Sequence, residues 1–218
     1  RVLFRSKYIF LNLSKPVSTS PMTLSIITVS YNASKTIADT LQSVAAQTYP
    51  LIEHIVVDGA SEDDTMQVVD SFPHVSKKIS EKDSGIYDGM NKGIAMSSGE
   101  IIGILNADDM YADEHVLEKV IDAFRDPEID AVYADLIFVD PQNTNKVVRR
   151  WQSKNHTATD FYYGWMPPHP TFFVRKKIYE QFGVFDTRLR SAADYELMLR
   201  FLLKYRVPSI YIPCTLIR

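Results

Sequence analysis

The 218-residue chain is 45% hydrophobic and 23% charged, with a formal net charge of -3. That balance excludes wholesale disorder, a collagen-like repeat and a coiled coil, and it lacks the basic excess of a nucleic-acid binder. A chain of this size buries roughly 70% of its unfolded surface, so a single α/β domain is expected. Cys214 is the only cysteine. It leaves no internal disulfide and no cysteine-based zinc site, and it fits a reducing, cytoplasmic compartment. No run reaches the roughly 20 apolar residues of a membrane helix, and the nearest, residues 2–13, is broken by Arg5 and Lys7. Residues 1–21, with a Ser/Thr/Pro-rich run over 14–21, read as a tail or cloning remnant, and residues 22–218 as the domain.

In chain order, residues 24–29 form an apolar run typical of a strand buried on both faces. Ile37, Leu41, Val44 and Ala45 then repeat with helical spacing until Tyr49-Pro50, and residues 52–57 are a second strand. Ser61 and Asp64 have the spacing of a capping box ahead of Met66, Val69 and Phe72. Residues 78–81 read as a short third strand, and Ser84 as the cap of a helix reaching Met96. Residues 101–105 are a fourth strand, followed by a helix with Leu117, Val120, Ile121 and Phe124 on one face. Residues 131–139 read as a strand, residues 140–145 as a turn, and the stretch to Asp160 shows no period. Strand 171–174, helix 176–182 ended by Gly183, helix 192–204 and an apolar run over 209–212 complete the chain. Alternating strands and helices predict βαβ crossovers and a doubly wound, mostly parallel sheet with flanking helices.

In such a sheet ligands bind outside the carboxyl ends of the strands. Those ends deliver Ser30-Tyr31-Asn32, then Asp58, then Asp83, then Asn106 with Asp108 and Asp109. Singly, each acid has a plain structural explanation: Asp58 as a turn residue, Asp83 as a residue before a helix cap, Asp108 and Asp109 as a solvated loop. Their convergence on one rim favours a site. Acids alone repel an anionic substrate, so Asp108 and Asp109 make better sense as ligands of Mg2+ or Mn2+ shared with substrate phosphates. No phosphate-cradling glycine motif is present, and Gly85, Gly89 and Gly93 recur at four-residue spacing, which suits close helix packing.

Four segments together resemble successive motifs of bacterial family 2 glycosyltransferases of the GT-A, nucleotide-diphospho-sugar transferase-like fold. They are residues 25–32 (SIITVSYN), 56–61 (VVDGAS), 83–93 (DSGIYDGMNKG) and 105–109 (LNADD). Within that family the likeness is to exopolysaccharide, colanic-acid and O-antigen enzymes. Residues 169–173 (HPTFF), 183–186 (GVFD) and 192–197 (AADYEL) resemble the family's acceptor half. The resemblance divides the domain into a donor half, about 22–110, and an acceptor half, 111–218, whose C-terminus is expected to be truncated.

The resemblance implies a nucleotide-sugar donor, a UDP-sugar being favoured, with Val29, Tyr31 and Asn32 near the nucleobase. It gives Asp58 to the base or ribose and Asp83 to the donor sugar and nucleotide. Asp109 becomes the direct ligand of Mn2+ or Mg2+, with Asp108 beside it as a second ligand or a ribose or sugar contact. Asp194 matches the general base of an inverting transfer, although an acid at a helix start is also a good dipole partner. His169, Trp165 and Glu196 are acceptor-side candidates; a scaffold histidine and a surface acid are the plainer readings of the first and last. Two departures from the family pattern stand out: Gly59 where many members carry a second acid, and Asn106 at the first position of the metal motif. The implied acceptor is a saccharide or lipid-linked saccharide for cell-surface polysaccharide, reached at the inner membrane face by peripheral association. An inactive nucleotide-sugar-binding domain and a sugar nucleotidyltransferase remain as alternatives. The latter normally carries an early basic glycine-rich loop, and Ser30-Tyr31-Asn32-Ala33 is not one.

Overall fold

The computed structural model describes residues 21–218. The tail expected over 1–21 therefore lies, except for Pro21, outside the described residues. Strands β1 (Leu24–Ser30), β2 (Ile52–Asp58), β3 (Val75–Ser80) and β4 (Ile101–Ile104) alternate with helices α1 (Ile37–Ala45), α2 (Thr65–Asp70) and α3 (Ile86–Met96). After α4 (Val116–Phe124) come β5 (Ala131–Asp140), β6 (Asn143–Trp151), α5 (Ala158–Tyr162) and a 3-10 turn, His169–Thr171. Strand β7 (Phe173–Arg175), α6 (Lys176–Phe182), α7 (Ala193–Met198) and β8 (Ser209–Ile217) follow.

One eight-stranded sheet carries the order β3-β2-β1-β4-β7-β5-β6, with β8 against β5. The β1–β2, β2–β3, β1–β4 and β5–β8 pairings are parallel. Those of β7 with β4 and β5, and of β6 with β5, are antiparallel. Every residue of β1 is buried, and alternate side chains enter opposite cores. Ile27 and Val29 pack with Met90 and Ile94 of α3 and with Leu197 and Phe201. Leu24 and Ile26 pack with Val44, Val120 and Phe124 on the other side.

The polar residues inside β1 are matched by its neighbour. In parallel register Ser25 lies opposite Glu53 and Ser30 opposite Asp58, and their hydroxyls donate to those carboxylates at 2.5 and 3.0 Å. The glycine spacing in α3 is resolved as close packing at two of its three positions. A Cβ at Gly93 would lie 2.3 Å from Ile27 Cγ2, and one at Gly89 3.4 Å from Val29 Cγ1.

Several local expectations need correction. Ser61 does not cap α2; its hydroxyl donates to Asp58 at 2.5 Å, and Asp64 holds the cap position without a side-chain bond. Ser84 does not cap α3, which starts after Gly85 at φ 119. The Ser84 backbone N–H donates instead to Asp88. The aperiodic stretch after Asp140 contains β6, an edge strand exposed along most of its length. A strand packed on neither face needs no apolar alternation, so its pattern carried no signal. The single helix expected over 192–204 ends as α-helix at Met198 and continues as a π-helical turn, Leu199–Lys204.

Candidate active site

The carboxyl ends of β1 to β4 open on a cleft of about 880 Å³. Its walls include Val29, Tyr31 and Asn32 from β1 and the loop after it, Gly59, Ala60 and Glu62 after β2, and Lys82, Asp83 and Ile86 at the β3–α3 connection. Asn106 and Asp108, after β4, close the far side. The structure thus brings Val29, Tyr31, Asn32, Asp83 and Asp108 to one cavity. Tyr31 stands 64% exposed at its edge, so an aromatic face is free for a planar ligand. Asn32 adopts φ 50 and fastens two loops: its N–H donates to Ser61 Oγ at 2.8 Å, and its Oδ1 accepts from the Glu62 N–H at 2.9 Å.

Asp58 does not line the cleft. It is fully buried and accepts from Ser30 Oγ, the Ser61 N–H, Ser61 Oγ and Ser80 Oγ at 2.5–3.0 Å. Burial pushes its pKa up, but hydrogen bonds from Ser61, Ser80 and Ser30 outweigh that and hold it below the ordinary carboxylate value. In this arrangement Asp58 presents no free oxygen to a base or ribose. With both oxygens occupied, Asp58 anchors the floor on which the cleft loops rest. Asp83 has the opposite character. Its Oδ1 accepts from the Gly85 N–H at 3.0 Å, while Oδ2 lies so near Gly59 that a Cβ there would approach to 2.9 Å. The same Cβ would sit 3.4 Å from Tyr31 Cδ2. The space beside Gly59 thus already holds the Asp83 carboxylate.

On the β4 side, Asp109 sits one step behind the lining residues. Burial first, and then the charge of Asp108, push its pKa up to about 6 against hydrogen bonding by Asn106. Asn106 Nδ2 donates to Asp109 Oδ2 at 3.1 Å, and Asn106 Oδ1 is buried without a partner. Two mutually repelling carboxylates and an orphaned carbonyl oxygen are the oxygen donors a hard divalent cation takes. Among the described residues no three His, Cys, Asp or Glu side chains gather to hold a metal alone. A cation here would complete its shell with water or ligand oxygens.

Asp194 lies in the first turn of α7. Its Oδ1 accepts from Tyr87 Oη at 2.9 Å, and Tyr87 follows the cleft residue Ile86 directly on α3. The Tyr87 ring stacks on Phe185 at 5.6 Å. Asn91, one turn further along α3, clasps Phe185 by both backbone groups, at 2.9 and 3.0 Å. His169 packs edge-on against the same phenyl ring. Burial lowers its pKa, partly offset by the Asp194 charge, so the imidazole is neutral at neutral pH.

The other two acceptor-side candidates have different tasks. Glu196 forms two hydrogen bonds to Arg200, at 2.9 and 2.8 Å. Arg200 in turn holds the carbonyls of Phe182 and Val184 at 2.5 and 2.7 Å. Glu196 therefore fixes the α6–α7 connection. Trp165 has one face stacked on His156 at 5.3 Å and meets Tyr133 and Phe161 edge-on, so it belongs to an aromatic cluster rather than a free sugar platform. Sequence reasoning missed Tyr87, Asn91, Lys82 and Glu62. The i, i+4 spacing of Tyr87 and Asn91 was the available signal for the first pair.

Residues 25–194 match the family described as glycosyl transferase family 2. The chain belongs to that family. An uncharacterized glycosyltransferase of Mycobacterium tuberculosis is 39% identical over 107 residues, covering 48% of this chain and 41% of the relative. A Mycobacterium bovis PGL/p-HBAD biosynthesis glycosyltransferase is 28% identical over 186 residues, 83% of this chain and 70% of the relative. The fold is that of S. aureus TarS 1-349, solved in complex with UDP: TM-score 0.72 at 19% identity, over 90% of this chain and 60% of that one. It is also that of the Pyrobaculum calidifontis mannosyltransferase PcManGT, solved with GDP-Man and Mn2+: TM-score 0.64 at 21% identity, over 92% and 59%. The chain spans less than half of the first relative and about three fifths of these two structures. Family membership also makes the mixed, mostly parallel sheet an instance of the GT-A fold.

Proposed function

We propose that the chain is the transfer domain of an inverting glycosyltransferase. It moves a sugar from a nucleotide-sugar donor, a UDP-sugar by preference, to a hydroxyl of a saccharide or lipid-linked saccharide in cell-surface polysaccharide synthesis. The observation that carries this reading is the pairing of two centres. A cleft with a free aromatic face and a cation-binding oxygen set abuts, across α3, a carboxylate held in a fixed orientation. The donors in the TarS and PcManGT structures, UDP-GlcNAc and GDP-Man, support the substrate class.

In this reading Tyr31 and Val29 receive the nucleobase, and Asp83 supplies the acid contact that Asp58 and Gly59 do not. Asp109, Asp108 and Asn106 Oδ1 would hold Mn2+ or Mg2+, which when bound neutralises charge on the leaving diphosphate. Asp194 takes the acceptor hydroxyl proton as that oxygen attacks the anomeric carbon. The new C–O bond forms as the bond to the diphosphate oxygen breaks, and the nucleoside diphosphate leaves with the electron pair. One base opposite one leaving group gives inversion. We place the reaction in the cytoplasm at the inner membrane face. The lone Cys214 suits a reducing compartment, and no helix of the described residues is long and apolar enough to cross a membrane.

A thermal-shift panel of UDP-, GDP- and dTDP-sugars with and without Mn2+ tests the proposal, followed by analysis of released nucleotide. Metal-dependent stabilisation by one nucleotide class, with release of its diphosphate, is expected. Binding without release would identify an inactive binding domain. Pyrophosphate formed from a nucleoside triphosphate and a sugar phosphate would identify a nucleotidyltransferase.

A further inference from the structure

We infer that Tyr87 is the positioning residue of the catalytic base: its hydroxyl fixes Asp194 Oδ1 so that Oδ2 is left to take the acceptor proton. The inference rests on the assignment of Asp194 as base made above. Tyr87 Oη donates to Asp194 Oδ1 at 2.9 Å, and no donor to Oδ2 is found among the described residues. The phenol therefore ties α3 to the carboxylate carried by α7. Burial, and then Asp194 itself, push the Tyr87 pKa up to about 12. The phenol thus remains a protonated donor throughout the range in which enzymes of this kind are assayed.

What holds Tyr87 is as informative as what Tyr87 holds. Its ring is stacked 22° from parallel on Phe185. Phe185 is pinned through its own backbone by both ends of the Asn91 amide. Tyr87 and Asn91 are one helical turn apart on α3, so the side chain orienting the base and the side chain fixing its support share one rigid element. That element begins at the cleft, where Gly85 and Ile86 line the wall. It is set against β1 by Gly89 and Gly93 with no room for another methyl at Gly93. Position of the donor-side wall and orientation of the base are therefore coupled through one helix. The other groups facing Asp194 do not replace this contact. His169, on the 3-10 turn, packs edge-on against Phe185 and forms no side-chain hydrogen bond to Asp194 among the described residues, and on α7 itself Glu196 is occupied by Arg200.

A carboxylate with one oxygen capped by a hydrogen bond loses rotational freedom. Deleting the hydroxyl should therefore lower turnover, with no effect on nucleotide affinity. The test compares wild type, Tyr87→Phe and Asp194→Asn. Release of nucleoside diphosphate from UDP-glucose, UDP-N-acetylglucosamine and GDP-mannose is measured with Mn2+ and water as acceptor, and UDP affinity by calorimetry. For Tyr87→Phe we expect kcat to fall roughly 10- to 100-fold, the scale of one charge-assisted hydrogen bond. UDP affinity and the KM for the donor should be unchanged, a split between kcat and KM that a merely structural role would not give. Replacement of Tyr87 by 3-fluorotyrosine, a donor of the same shape, should keep kcat near that of wild type. It also keeps the test open should the phenylalanine variant fold poorly. A kcat unchanged in Tyr87→Phe, or lost equally in the 3-fluorotyrosine variant, with Asp194→Asn inactive, overturns the role of Tyr87 alone. Full turnover by Asp194→Asn overturns the underlying assignment of the base.

Discussion

Gly93→Ala separates two opposing effects by sign. Exposed in a helix, the substitution should stabilise by about 1 kcal/mol, because alanine is the better helix former. At Gly93 the new Cβ would instead lie 2.3 Å from Ile27 Cγ2 and 3.2 Å from Cγ1. Ile27 is fully buried in β1, so neither its β-branched side chain nor α3 can yield without disturbing the sheet. Overpacking a tight core costs about 1–3 kcal/mol, and this contact belongs at the upper end. Subtracting the helix gain leaves a net loss of about 1–2 kcal/mol, a fall in melting temperature of roughly 2–8 °C for a domain of this size. Urea denaturation of both proteins at unchanged m-value measures the difference. Nucleotide affinity should fall alongside, because the first turn of α3 lines the cleft. A variant as stable as wild type or more so would refute the claim that α3 is seated on β1 by the absence of side chains.

Gly59→Ala, by contrast, should change stability by less than about 0.5 kcal/mol, since the atom it meets is the mobile end of Asp83. It should still weaken binding of UDP-sugars severalfold in calorimetry by displacing that carboxylate. Asn106→Ala should weaken Mn2+-dependent nucleotide binding while leaving metal-free binding near wild type; equal loss in both would remove Asn106 from the cation set. Glu53→Gln tests the opposite edge of the sheet, where Glu53 joins Ser25, Ser98 and Lys77. Burial raises the Glu53 pKa, but those partners bring it down from the ordinary 4.5 to about 2. The depressed value contributes stability that is complete above pH 4.5 and lost as pH falls toward 2, about 2 kcal/mol after allowing for the solvent-exposed Lys77. Denaturation at pH 7 and pH 2.5 should show the wild-type advantage over the variant shrinking at the lower pH.

The parallel part of the sheet was legible because strands buried on both faces carry short, mostly apolar runs, as at residues 26–29 in β1, 55–57 in β2 and 101–104 in β4. Its antiparallel extension was half hidden. β6, with exposed Lys146, Val148 and Arg150, obeys no burial pattern, and β8 reads as a strand only over its first residues. The cleft was legible from the strand-end residues, whereas Asp194 as base stays a proposal drawn from its register with the family motif. Side-chain saturation was not legible. Whether Asp58 is free or enclosed by Ser30, Ser61 and Ser80 depends on which loops fold over it, which no spacing encodes. The same is true of Trp165, whose partner His156 becomes a neighbour only once α5 is placed; the Glu196–Arg200 pair, at i, i+4 spacing, could have been read from the sequence.

The acids converging on one rim are therefore sorted by their hydrogen bonds rather than by their position. Asp58 has no acceptor capacity left and serves the scaffold. Asp83 spends one oxygen on the Gly85 N–H and turns the other toward Tyr31 and Gly59, which leaves it able to read a ligand. Asp109 is held against Asp108 with only Asn106 to relieve it, an arrangement whose electrostatic cost a bound cation would lower. Asp194, away from the rim, spends one oxygen on Tyr87 and keeps the other. On the proposed function, a chain of net charge -3 would meet an anionic substrate by this division. Surplus acceptor capacity would be kept where a proton or metal is to be taken, and filled by serine hydroxyls where it would only repel.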